Sequence, residues 1–434
     1  MRKLAKEALA LALIWPTAGF MAAAQTSTSA QVSNTMPTAN FGFNLPTSLG
    51  TLSYSLTASE FVRTGYESRG VYASTSGGGN LAYLSKSERS PFSLVYSGGF
   101  IHSDIPGQGE NETYQDLSFS QVMRTKAWVY VISDAFSYLP ESPTTGLSGI
   151  AGVGDVGIPP VQTGIGPPQD ILSDYGRRIS NGLDGSATWQ VGSSTELEGS
   201  ARWGIFRFPG SSNSGLDTNQ YSATFGPTYR INALSSIGAD AYYSRENYPG
   251  YAGAVIESDG VTVTYNRNWS RLISTSVGLG PEKTHGEGFG TFPSRLNLSA
   301  SGSVNYAGRQ FGAYLNYSRG TNGGGGVLAG AFSDRVTIGA TRPVGRDWSV
   351  GVDGSYARSV ALFTIGNLQT RAQSIYGGMQ MSRRLTESLS CYVSDTVIDQ
   401  SLYDPLGAVN AFSGVSDTVG FGITFSPPPL HRPR

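Results

Sequence analysis

The chain has 434 residues, with 30 Lys and Arg against 31 Asp and Glu, and its net charge of −1 leaves no basic footprint for a nucleic acid. Charged residues make up 14% of it, well below the roughly 25% of ordinary soluble domains, yet mean hydropathy is only −0.17. A single cysteine, Cys391, excludes a disulfide framework, and low charge without high hydropathy fits strands that give half their residues to lipid and half to water.

Arg2, Lys3 and Lys6 form a basic start, Ala8 to Ile14 an apolar run too short to span a bilayer, and Ala22, Ala23 and Ala24 a small-residue site before Gln25. This is the pattern of a secretory signal cleaved near Ala24-Gln25, so the mature chain is expected outside the cytoplasm. No later stretch approaches the roughly eighteen consecutive apolar residues of a membrane helix. A closed β-barrel is then the remaining way to live in lipid, because every backbone group there must be paired internally. Residues 25–49 read as a periplasmic N-terminal segment, too short for the globular plug of an active transporter.

From residue 50 onward one unit recurs: a strand, a short turn, a second strand, and a longer loop rich in Gly, Ser, Asn and Pro. Strands are expected near 51–62, 80–88, 91–101, 114–124, 127–137, 183–191 and 195–208. They continue at 218–231, 234–245, 254–267, 271–280, 295–306, 310–319, 333–342, 347–358, 369–383, 388–398 and 415–426. The alternation is clearest after Arg295, where Leu296, Leu298, Ala300, Val304 and Tyr306 hold one parity and Asn297, Ser299, Ser301 and Ser303 the other. The reading is an all-β fold, a transmembrane antiparallel up-and-down barrel over 50–426 with about eighteen strands, sixteen being the alternative. An even number places both ends and the short turns in the periplasm and the longer loops at the cell surface. Pro227 and Pro281 fall within or at the end of expected strands and read as bulge or strand-end positions, since each removes a ladder donor.

Short phrases add a resemblance. Ser90-Pro-Phe-Ser-Leu-Val-Tyr-Ser-Gly-Gly99, Ser133-Asp-Ala-Phe-Ser-Tyr-Leu-Pro140 and Gly149-Ile-Ala-Gly-Val-Gly-Asp155, followed by repeated strand pairs, resemble outer-membrane β-barrel and porin-type proteins of Gram-negative bacteria, of acidobacterial type. The likeness covers most of the mature chain. It implies an outer-membrane location and a barrel fold, and it brings no catalytic residues with it.

The connection from Leu139 to Ser180 is the longest, with Gly and Pro throughout. Loops beyond about fifteen residues are usually functional or disordered. As the third surface loop it occupies the slot that folds inward in general porins, which makes Asp155, Asp170, Asp174, Arg177 and Arg178 constriction candidates. A loop lying over the barrel mouth or out in solvent is the alternative.

Other candidates alternate into the wet face of strands: Glu196, Glu198 and Arg202, then Asp240, Arg295, Arg335 and Asp353. Each would cost several kcal/mol in hydrocarbon and is expected to face the lumen. Two readings stand side by side, salt bridges that brace the wall and a transverse field that binds polar solutes. Histidines 102, 285 and 431 have no second His or Cys at metal-ligand spacing, so no metal and no cofactor are expected. His102 tops a strand and His285 lies in the expected 284–293 loop; both read as solvated loop residues, with a catalytic rim histidine as the alternative. Gly323 to Gly326 lacks the Lys-Ser/Thr of a phosphate cradle and reads as a surface loop.

The chain closes on Thr418-Val-Gly-Phe-Gly-Ile-Thr-Phe425, which resembles the aromatic-terminated strand that barrel-insertion machinery recognises through residues such as Phe421 and Phe425. Pro427, Pro428 and Pro429 cannot continue a strand, so 427–434 is expected to hang in the periplasm. The expected partners are outer-membrane lipid, the insertion machinery and small polar solutes, with no nucleic acid. Passive diffusion of such solutes leads the functional readings. A non-channel surface barrel, serving as an adhesin or in polysaccharide export, comes second and an outer-membrane enzyme third.

Overall fold

The computed structural model describes residues 45–46, 50–65, 70–85, 87, 89–104, 111–140, 177–209, 217–250, 253–288, 292, 294–308, 310–323, 328, 330–363, 370–403 and 413–427. The expected signal segment and the tail beyond Pro427 lie outside the described residues. No helix among the described residues is long and apolar enough to cross a membrane.

Every element among the described residues is a strand. A two-residue β1 (Leu45–Pro46) precedes β2 (Gly50–Gly65), β3 (Val71–Ser85), β4 (Phe92–Ser103), β5 (Asn111–Arg124), β6 (Trp128–Pro140) and β7 (Arg177–Gln190). Then come β8 (Thr195–Arg207), β9 (Thr218–Asn232), β10 (Ser235–Tyr248), β11 (Ala254–Asn268), β12 (Ile273–Glu287) and β13 (Arg295–Ala307). The remainder are β14 (Gly312–Asn322), β15 (Ala331–Val344), β16 (Trp348–Ala361), β17 (Arg371–Arg384), β18 (Leu389–Tyr403) and β19 (Gly414–Phe425). From β2 onward each strand pairs antiparallel with the next, and β19 returns to β2 with Phe425 opposite Leu56 and Ser416 opposite Gly65. The wall is therefore a closed ring of eighteen strands, and β1 adds only two pairings to β2, Leu45 with Leu52 and Pro46 with Thr51. Closure gives backbone groups partners on both flanks, which is what a strand needs in hydrocarbon.

All eighteen expected strands are present, and sixteen is excluded. The largest boundary change is β3, which starts at Val71 rather than near residue 80. Its segment Ser74 to Gly79 has no apolar parity to read and is held by pairing alone, with Gly78 opposite Gly99 and Gly79 opposite Gly98. Short connections at 125–127, 191–194, 233–234 and 345–347 share one rim, and longer ones at 141–176, 208–217 and 404–413 the other. The short turns are closed by local side chains. Asn232 Oδ1 accepts from Leu234 N at 2.8 Å, Thr125 Oγ1 from Trp128 N at 3.0 Å, and Ser270 Oγ from Ile273 N at 3.1 Å.

Along each strand exposure alternates. In β13, Leu296 and Leu298 are exposed while Ser299 is buried; in β19, Val419, Phe421, Ile423 and Phe425 are exposed while Thr418 and Thr424 are buried. The exposed parity makes an apolar outer face, with aromatic side chains toward both rims, such as stacked Trp128 and Trp189 at the short-turn rim and Tyr221 and Tyr243 toward the other. Two outward carboxylates are satisfied within the wall: Glu60 accepts from Thr75 Oγ1 at 2.8 Å, and Asp134 from Asn181 Nδ2 at 3.1 Å.

Pro227 and Pro281 are neither bulges nor strand ends, because both sit inside their strands without a register shift. Each follows a glycine, and pairing to one neighbour lapses locally beside each Gly-Pro step. A Cβ on Gly226 would run into the Ala239 carbonyl, and one on Gly280 into that of Val261. The neighbouring backbone closes in over the missing side chain, so the ladder continues past the lost donor.

Candidate functional site

The buried parity of every wall strand faces the lumen, and its charged members come from positions that alternate with lipid-facing ones. In β8, Glu196, Glu198 and Arg202 share the inward parity, opposite exposed Trp203. Asp240 shares the inward parity of Tyr242 in β10, Arg295 that of Ser299 in β13, Arg335 that of Ser333 in β15, and Asp353 that of Ser355 in β16. All seven thus take the face expected of them. Two are braced by ion pairs: Arg202 Nε lies 3.3 Å from Asp184 Oδ1, directly across the β7–β8 ladder, and Glu196 Oε1 lies 3.3 Å from Arg230 Nη2.

The signs are spread unevenly around the ring. Inward acids gather on β5 to β12, as Glu112, Asp116, Asp184, Glu198, Asp240, Glu246 and Glu282. Away from the short-turn rim, the described inward charges on β13 round to β4 are Arg295, Arg335 and Arg63, with Asp353 as the lone acid, while Arg202 sits among the acids of the other arc. Each arc acts across a confined space, so a transverse potential between acidic and arginine-bearing walls follows from the placement.

The loop candidates fare differently. Asp155, Asp170 and Asp174 lie outside the described residues. Arg177 and Arg178 are not loop residues: they open β7 and pair with Pro140 and Leu139, because the β6–β7 hairpin runs further than its apolar pattern and leaves 141–176 as the connection. His285 likewise lies in a strand. Its Nε2 is 2.7 Å from Glu257 Oε2, and Arg245 Nη1 is 3.4 Å from Glu257 Oε1, in a row on the outer side of β10, β11 and β12. That row lies where polar pairs replace apolar alternation, and this is why β12 outruns its expected end. His102 faces outward at the end of β4, with Nδ1 3.0 Å from Asn111 Oδ1. No group of three or more His, Cys, Asp and Glu gathers among the described residues.

A segment with no such expectation enters the lumen, while the 141–176 connection lies outside the described residues. β14 pairs with β13 only as far as Arg319 opposite Ala300, so the last residues of β14 lack a neighbour on that side. They turn inward and bond to β12 instead: Thr321 N donates to Glu282 Oε1 at 3.2 Å, and the hydroxyls of Thr321 and Thr284 are 3.1 Å apart. The carbonyl of Gly323 then lies 3.0 Å from Tyr248 Oη of β10. Gly323, read as part of a surface loop, is thus fixed against the inner wall, while 324–327 lie outside the described residues. Leu328 packs on Ala331 and Ala361, and Leu362 N donates to the Gly330 carbonyl at 3.1 Å. Leu362 and Phe363 join Tyr248, Ala254 and Ile256 in an apolar cluster that ties the connection after β16 to the walls of β10 and β11.

Beneath this inward strap lie two carboxylates that the sequence reading missed. Glu246 is 5% exposed and Glu282 is 0% exposed. Gln220 Nε2 donates to Glu246 Oε1 at 3.3 Å, and Tyr248 Oη lies 3.0 Å from Glu246 Oε2. Both glutamates hold inward parity, but each falls just past the expected end of its strand, at 245 and 280. The parity of Asp240 carried one step further would have reached Glu246.

The chain matches neither a family model nor the sequence of a curated protein. Among solved structures it is similar to Pseudomonas aeruginosa OpdQ, at 11% identity and TM-score 0.43 over 88% of this chain and 99% of that one. P. aeruginosa OccK2 (OpdF) in complex with glucuronate gives 11% and 0.43 over 86% of this chain and 97% of the other. The FrpB iron transporter from Neisseria meningitidis gives 7% and 0.43, over 86% and 82%. The barrel assignment itself rests on the closed ladder of this chain.

Proposed function

We propose that the protein is an outer-membrane barrel that works as a passive diffusion channel for small polar solutes. The observation that supports this best is the lumen wall, a hydroxyl-rich surface with an acidic arc on one side and an arginine arc on the other. About eight strands make a ring that side chains can fill, whereas rings of about sixteen to eighteen enclose water. A solute with separated charges would align across the two arcs, and a cation would find more counter-charges than an anion. Outer-membrane lipid would meet the apolar outer face. The insertion machinery would meet β19 through Phe421 and Phe425, both outward and exposed.

The inward strap after β14 supports a second reading, a surface barrel whose lumen is occupied and whose loops do the work in adhesion or polysaccharide export. Purified protein in a planar bilayer separates the two. Discrete conductance steps with a cation-leaning reversal potential in a salt gradient support the channel. A protein that remains heat-modifiable on gels yet never conducts supports the surface barrel.

A further inference from the structure

We propose that Glu246 and Glu282 of the β10–β12 wall, with the Gly323 carbonyl of the strap, form a binding site for a hard divalent cation of the calcium type. Glu282 is wholly enclosed; its Oε1 accepts from Thr321 N, and its Oε2 is buried with no hydrogen-bond partner among the described residues. Glu246, 5% exposed, reaches the same strap: a Cβ on Gly323 would lie 3.4 Å from its Oε2, two residues beyond the Thr321 whose N–H bonds Glu282. Two like charges out of water are tolerated when each is paired or bound to a metal.

The neighbouring groups have the oxygen character that such a cation takes. Tyr248 Oη lies 3.0 Å from both Glu246 Oε2 and the Gly323 carbonyl, yet it carries one proton and can serve only one of them at a time. The hydroxyls of Thr284 and Thr321, 3.1 Å apart, add neutral oxygens beside Glu282. Two carboxylates with a backbone carbonyl and hydroxyls make a set for a flexible oxygen-liganded ion such as Ca²⁺, whereas His285, the imidazole on β12, is turned to the outer side against Glu257. A cation there would join β10 and β12 to the strap, holding the strap against the wall. The site stands whether or not the barrel conducts.

The experiment uses the full chain refolded in detergent and Tb³⁺ excited through tyrosine, with Tyr248 as the nearby sensitiser. Saturable emission displaced by Ca²⁺ is expected. Glu282→Gln should weaken binding by about tenfold or more, while Asp353→Asn, on the opposite arc, should leave it unchanged. Heat-modifiable mobility checks that each variant is folded, and Glu246→Gln serves in its place if Glu282→Gln does not fold. The proposal is overturned by the absence of saturable emission, by emission that Ca²⁺ does not displace, or by equal weakening in the Glu282 and Asp353 variants.

Discussion

Tyr248 and Gly323, 75 positions apart in the chain, meet inside the barrel with the tyrosine hydroxyl 3.0 Å from the glycine carbonyl. This contact joins the β10 wall to the strap that leaves β14. Tyr248→Phe keeps the ring in the apolar cluster and removes the hydroxyl that meets both Gly323 and buried Glu246, at about 1–3 kcal/mol. In a conducting barrel the variant should show larger or noisier conductance steps, with unchanged heat-modifiability. Identical traces would mean that the apolar cluster around Ile256 and Leu362 holds the strap alone.

Facing can be checked in β13. Leu298 lies on the exposed outer parity, so Leu298→Arg should cost on the order of 2–4 kcal/mol near mid-depth and less toward a rim. Ser299 is not the right partner for comparison, although its parity suggests lumen water: it is 0% exposed and donates to the Gly280 carbonyl at 3.0 Å. Ser303, less enclosed on the same inward face, should accept Arg at little cost. Urea unfolding in lipid vesicles measures both, and equal losses would contradict the facing.

The Asp184–Arg202 pair offers a test of the wall. Arg202 has a nearly buried side chain and Asp184 a partly exposed one, so a double-mutant cycle with Asp184→Asn and Arg202→Gln should give a coupling of roughly 1 kcal/mol, lowered by salt. Zero coupling at low salt would show that the pair braces nothing.

Topology follows from the two rims. An epitope inserted near Gly152, in the 141–176 connection, should be reached by antibody on intact cells, and one at Asn232-Ala233 only after the outer membrane is opened. Reversed labelling would invert the barrel.

Sequence alone pointed to the local facts: that the chain is built of about eighteen alternating strands with barrel character, that Leu298 is on the apolar parity, and that Asp353, Arg335 and Glu198 are on the polar one. Those follow from a period of two, which any short stretch displays without knowing its neighbours. It failed where that signal fades, at the glycine-rich start of β3 and at the loop-side ends of β10 and β12, and those failures hid Glu246 and Glu282. Only the tertiary structure decided that β19 closes on β2, that acids and arginines occupy opposite arcs, and that the strap after β14 enters the lumen. Each depends on which strands stand beside or across from one another once the ring is closed, a property of the accumulated register of all eighteen strands and of none singly.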